Sequence, residues 1–147
     1  MHQPDTAQFF TTLRLLFFVL LGGQALFGAV VFWLIRTQGA GEGPVFTSYG
    51  FLAVIMLGWM AISSFVLYRQ RLRRGAAIKE IPQKLSHYRT SSIFRWAMLE
   101  MGNLAVIGIA FLESNIHLLW LFAIGLAVFL LTMPSKEAFG NDYGENL

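Results

Sequence analysis

The stretch LLFFVLLGGQALFGAVVFWLI, residues 15–35, decides the class of this protein. It holds 21 consecutive residues without a charged side chain, and a helix needs about 20 mostly apolar residues to cross a bilayer. In the whole chain, 56% of the 147 residues are hydrophobic and 13% are charged, whereas a soluble domain has roughly 25% charged residues. Because these charges are too few to coat a soluble globule, the sequence predicts an integral membrane protein.

Three further spans lie beyond this stretch. Residues 44–68 and 114–135 contain no charged side chain. Only 12 residues separate Glu100 from Glu113, so the remaining span has to begin near Arg95 and carry Glu100 inside it. We therefore predict an all-α fold with four transmembrane helices in a bundle. The predicted spans of this single membrane domain are about 13–35, 46–68, 94–112 and 115–133.

The basic residues predict the orientation of the bundle. Eight of the 11 Lys and Arg residues lie between positions 69 and 95, where Glu80 is the only acid. The positive-inside rule assigns such a connection to the cytoplasm, and four spans bring both termini to the same side. We expect a multi-pass protein of the bacterial inner membrane with a cytoplasmic linker at 69–93. Topology accounts for the basic charge, so nucleic acid is not an expected partner.

The linker carries a helical pattern of its own. Ile78, Ile81, Leu85 and Tyr88 form an apolar stripe, and Pro82 suits the first turn of a new helix. We predict a short amphipathic helix on the inner membrane surface, and the alternative that this stripe packs under the bundle stays open. The basic surface expected to face lipid headgroups comprises Arg69, Arg71, Arg73, Arg74, Lys79, Lys84 and Arg89.

The tail at 134–147 is polar and holds Glu137, Asp142 and Glu145. A terminal segment of this composition is usually solvated or frayed, and we expect that here. The alternative is that the acidic tail folds back on the basic linker.

Glu100 is the one acidic residue inside a predicted span. An ionisable group in a membrane is costly and marks a candidate functional site. Asn103 shares its helix face, Ser63 and Ser64 lie at similar depth in the second span, and Gln24 lies deeper in the first. The sequence predicts a polar cluster of these five residues. It would tie helices together by hydrogen bonds, bind a proton or ion, or contact a ligand or partner.

Several kinds of chemistry lack the residues that they need. The chain has no cysteine, which excludes thiol redox chemistry and thiolate metal sites. Glu113 and His117 are four residues apart, but two ligands do not make a metal site. No phosphate-binding loop or nucleophile triad occurs. We therefore expect no enzyme activity, no metal and no cofactor.

The stretch YRTSSIFRWAMLE, residues 88–100, is followed by an apolar run and by PSKE at 134–137. In these features the chain resembles a family of small uncharacterised four-helix bacterial inner-membrane proteins. The resemblance covers most of the chain and implies the four-helix fold but no established activity.

The second hairpin, with Glu100 in a helix, is also similar to the proton-carrying hairpin of rotary ATPase proteolipid subunits, which implies a proton site there. The chain departs from those subunits in lacking a dense glycine repeat in the first helix and in its long basic connection. We favour a non-catalytic accessory or structural subunit or a homo-oligomer. Its expected partners are the lipid bilayer and other membrane subunits or itself. The alternative is a proton- or ion-translocating subunit that uses Glu100.

Overall fold

The computed structural model describes residues 6–39, 48–75 and 77–144. These residues form α1 (Thr6–Thr37), α2 (Ser48–Gly75), α3 (Ile81–Leu112), α4 (Leu119–Leu130) and α5 (Lys136–Tyr143). A 3-10 turn, Ile116–Leu118, leads directly into α4. No strand occurs in this part of the chain, and the all-α prediction is confirmed.

Three of these helices, α1, α2 and α3, are long and apolar enough to cross a membrane. The fourth apolar segment, Ile116–Leu130, is shorter. It measures about 22 Å at ~1.5 Å per residue, against roughly 30 Å of hydrocarbon. It ends before the predicted 133 because Leu131 and Thr132 form a turn ahead of Pro134, which cannot continue a helix.

The start of α3 differs from the sequence prediction. Ile81 begins a helix that continues unbroken to Leu112 over 32 residues, so the predicted span 94–112 is only its second part. Pro82 lies in the first turn, where its missing N–H needs no partner. The predicted short amphipathic helix on the membrane surface is therefore wrong. Leu85 and Tyr88 are instead buried under the bundle, as the alternative had it.

The helices α1 and α3 run parallel and meet along a seam of buried residues. On α1 the seam consists of Phe10, Phe17, Gln24 and Val31, spaced by seven residues. On α3 it consists of Tyr88, Trp96, Asn103 and Ala110, spaced by seven or eight. The ring centres of Phe10 and Tyr88 lie 6.2 Å apart, and those of Phe17 and Trp96 lie 5.3 Å apart. A repeat near seven residues keeps two helices facing each other along their length.

The helix α3 is the centre of the bundle, since it packs against α1, α2 and α4, whereas α2 packs mainly on α3. Both α2 and α4 run antiparallel to α3. We call the end of the bundle where α1 and α3 begin and α2 and α4 end the basic end, because the basic residues at the end of α2 and at the beginning of α3 lie there. Large apolar side chains cover the outside of the long helices, as contact with lipid requires.

Candidate functional site

A polar pair lies in the middle of the α1–α3 seam. The Asn103 amide Nδ2 donates a hydrogen bond of 2.7 Å to Gln24 Oε1, and both side chains are 1% exposed. An apolar cluster that contains Phe17 lies on the side of the basic end, and one that contains Val31 lies on the other. Interhelical hydrogen bonds in membranes contribute ~0.6 kcal/mol on average and up to ~1.7. A buried amide in such a seam also fixes the register of the two helices.

The helix α4 reaches this pair because it has a glycine at the crossing point. Asn103 Oδ1 lies so close to Gly125 that a Cβ at residue 125 would overlap it, and the same Cβ would lie 3.1 Å from Leu57 Cδ1. Small residues permit this close approach of helices in membrane bundles. The Gln24–Asn103 pair therefore contacts α4 as well as joining α1 to α3.

The structure does not bring all five residues of the predicted polar cluster together. Ser64 is buried but donates to Ala61 O at 2.7 Å within its own helix. Glu100 and Ser63 are half-buried. Within residues 6–39, 48–75 and 77–144, no hydrogen bond joins Glu100 to Asn103 or to either serine. What the structure assembles is the pair of Gln24 and Asn103.

The predicted basic surface is exposed except at two positions. Lys84 is only 8% exposed, so it does not belong to the exposed part of this surface. Because α3 is continuous from Ile81, its inward face includes Lys84 one turn before Tyr88. Arg71 is half-buried, with its guanidinium carbon 4.3 Å from the centre of the Phe94 ring. The exposed members are Arg69, Arg73, Arg74, Lys79 and Arg89.

The tail folds back on the basic end rather than being solvated. Phe139 of α5 is fully buried, with its ring centre 6.2 Å from that of Phe10 and 5.3 Å from that of Tyr88. The Tyr68 hydroxyl donates to Asp142 Oδ2 at 2.6 Å. Through these contacts α5 touches α1, α2 and α3, and the alternative considered for the tail holds for its described residues.

Two residues of the tail carried a signal for this helix that the sequence analysis missed. Ser135 precedes α5, and its hydroxyl accepts from Ala138 N at 3.0 Å, which is an N-cap. Gly144 follows α5 in the left-handed conformation, with φ 66°, which is a frequent way for a helix to end. A serine and a glycine that bracket eight residues thus predict a short helix.

A histidine of α3 and a tyrosine of α5 also join α5 to the basic end. His87 Nδ1 lies 2.7 Å from the Tyr143 hydroxyl. Burial, together with the nearby Asp142 and Tyr88, raises the pKa of Tyr143 to about 12. The hydroxyl therefore keeps its proton at neutral pH, and the tautomer of His87 decides whether it donates to Nδ1 or accepts from it.

Two arginines and a tryptophan hold the turn that links α4 to α5. Arg95 Nη2 and Trp96 Nε1 each donate to Thr132 O at 3.2 Å, and Arg14 Nε donates to Pro134 O at 3.2 Å. The end of a helix leaves carbonyl groups without partners and carries partial negative charge, which cations stabilise. Arg95, one of the eight basic residues from which the orientation was predicted, thus also fixes the path of the chain.

Among the residues that the structure describes, no group of three or more His, Asp or Glu side chains is arranged to hold an ion. At the start of the fourth segment, Asn115 Oδ1 accepts from His117 N at 3.0 Å. The side chain of Asn115 therefore caps this turn.

Comparison with protein-family models, with curated proteins and with solved structures finds no match to this chain. The resemblance to small uncharacterised four-helix inner-membrane proteins therefore stays a prediction, as does the similarity to rotary ATPase proteolipids.

Proposed function

We propose that this chain is a non-catalytic protein of the bacterial inner membrane that crosses it four times. It would act as an accessory or structural subunit or as a homo-oligomer. The observation that carries the proposal is the Gln24–Asn103 pair. These buried amides bond to each other within a seam that continues with Phe17 and Val31. Such a pair holds helices together in a membrane bundle.

The hydrogen bond between Tyr68 and Asp142 supports the fourth crossing. Tyr68 lies near the end of α2, and Asp142 lies in α5, so the chain after α4 returns to the basic end. Since α3 leads away from that end as far as Leu112, the short α4 and the turn after it lead the chain back. The linker and the tail are then both cytoplasmic by the positive-inside rule.

The helix α2 offers a surface to a second subunit. Its outer face carries Phe51, Ile55, Trp59 and Ile62, each more than half exposed. Beside this face a cleft of about 280 Å³ opens between α2 and α4, with Gly58 and Gly125 among its lining residues. Apolar side chains beside small residues are typical of helix contacts in membranes. This surface favours an accessory subunit or a homo-oligomer.

Proton or ion translocation through Glu100 is the alternative function. A half-buried carboxyl inside α3 supports it. In the described part of the chain, however, no hydrogen bond connects Glu100 to the Gln24–Asn103 pair. A proton carrier needs a continuous polar route, so the structural role has the stronger support.

Replacing Glu100 by glutamine separates the two functions. Glutamine keeps the shape and the hydrogen-bonding capacity but removes the titratable proton. We expect the free energy of unfolding of E100Q in detergent to stay within ~0.5 kcal/mol of the wild-type value. Liposomes that contain the wild type or E100Q should show the proton permeability of protein-free liposomes, measured with a pH-sensitive dye under an imposed potassium potential.

The exposed carboxyl of Glu137 in α5 provides the matched control. A wild-type proton flux that is abolished by E100Q and retained in E137Q would contradict the structural role and establish the alternative.

A further inference from the structure

A groove runs along the outside of α1 at the basic end, next to the beginning of α3. It has a volume of about 490 Å³ and is lined by Gln8, Phe9, Thr12, Leu13, Leu15, Leu16, Val19 and Arg89. The lining from Gln8 to Val19 extends over about 16 Å of helix at ~1.5 Å per residue. The groove faces outward, on the side where a spanning bundle meets lipid.

The lining of this groove changes from polar to apolar along its length. Gln8, Thr12 and the exposed Arg89 lie at the basic end, and Leu15 and Val19 lie further along α1. Among the described residues, no acidic side chain lines the groove beside Arg89. The cationic side chain of Arg89 at one end of the groove and the apolar side chains further along match the order of groups in an anionic phospholipid. The phosphate of such a lipid lies at the interface, above its acyl chains.

We propose that this groove binds one anionic phospholipid, with the headgroup phosphate at Arg89 and an acyl chain along Leu15, Leu16 and Val19. The inference rests on the proposed membrane location, with the basic end facing anionic lipid. Lipid tails are as apolar as leucine, so the walls alone do not distinguish one phospholipid from another. The preference for an anionic lipid therefore comes from the charge of Arg89. A soluble phosphate has no acyl chain to contact the apolar walls, so we expect it to bind more weakly.

Native mass spectrometry of the purified full-length chain in mild detergent tests this site. Titration should show one phosphatidylglycerol bound per chain, at least fivefold more tightly than phosphatidylcholine. A fivefold difference in affinity is the contribution expected from about one basic residue near an anionic headgroup. R89Q should weaken phosphatidylglycerol binding about fivefold. R73Q removes the same charge from an exposed position on α2 outside the groove, and it should change the affinity less than twofold.

V19W fills the apolar part of the groove without changing any charge, and it should weaken the binding of both lipids. Unchanged binding by V19W, equal losses in R89Q and R73Q, or equal affinities for the two lipids would each overturn the proposal. Competition by soluble glycerol 3-phosphate would also overturn it, because the ligand would then be a free phosphate. Lipid binding and proton flux are separate measurements, so an ion-translocating chain could still pass this test.

Discussion

Replacing Gly125 with alanine is expected to destabilise the bundle by about 2–4 kcal/mol. A Cβ at residue 125 would overlap Asn103 Oδ1 and lie 3.1 Å from Leu57 Cδ1. Asn103 then has to move, which breaks its hydrogen bond to Gln24 and leaves two buried amides without partners. Overpacking costs ~1–3 kcal/mol, and the lost interhelical bond adds up to ~1.7.

Gly108 is the matched control, because nothing lies within 4 Å of a Cβ placed there. G108A should be neutral or stabilising by up to ~1 kcal/mol, since alanine favours a helix over glycine. The measurement is reversible unfolding of both variants in mixed micelles, followed by circular dichroism. Equal stability of G125A and G108A would show that α4 does not press against Asn103.

Replacing Phe139 with alanine is expected to release α5 while leaving the four longer helical segments folded. Phe139 is fully buried between Phe10 and Tyr88, and truncating a buried phenylalanine costs ~3–5 kcal/mol. A helix of eight residues does not hold its structure alone, because isolated helices shorter than ~12–15 residues are marginal. The remaining hydrogen bonds, Tyr68 to Asp142 and His87 to Tyr143, are too weak to replace the lost aromatic contacts.

Hydrogen exchange of the Lys136–Tyr143 segment measures this release. In F139A the backbone amides of α5 should exchange at least ~100-fold faster, since ~1.4 kcal/mol corresponds to tenfold. Exchange in α1 and α3 beyond the basic end should change little. N141A alters an exposed side chain of the same helix and should leave the protection unchanged. Full protection of α5 in F139A would contradict docking through this ring.

Uninterrupted apolar runs made the class of protein and the position of α1 and α2 predictable from the sequence. The length of α3 was not predictable in the same way. The first turns of α3 carry Lys84 and Arg89, and a hydropathy analysis assigns segments with such charged residues to linkers. These turns are helical because Leu85 and Tyr88 pack at the basic end, and a single sequence does not show that packing. The end of α4 was placed too late because hydropathy cannot detect the turn at Leu131.

The sequence identified Gln24 and Asn103 as candidates but not as partners of each other. A spacing of three residues, which places two side chains on one helix face, grouped Asn103 with Glu100. The seam, however, runs along α3 through Trp96, Asn103 and Ala110, which leaves Glu100 at its margin. Which face of α3 meets α1 follows from the register of the two helices. The close approach at Gly125 depends likewise on how α4 crosses them.

Cysteine labelling tests the central claim, a bundle of four crossings with the linker and the tail on one side, most directly. The chain has no native cysteine, so single cysteines can replace the exposed residues Gln38, Gln70 and Asn141. The probe is a membrane-impermeant maleimide applied to intact spheroplasts and then to permeabilised ones. With four crossings, Q38C is labelled in intact spheroplasts, and Q70C and N141C are labelled only after permeabilisation. Labelling of N141C but not of Q70C in intact spheroplasts would show that α4 does not cross the membrane.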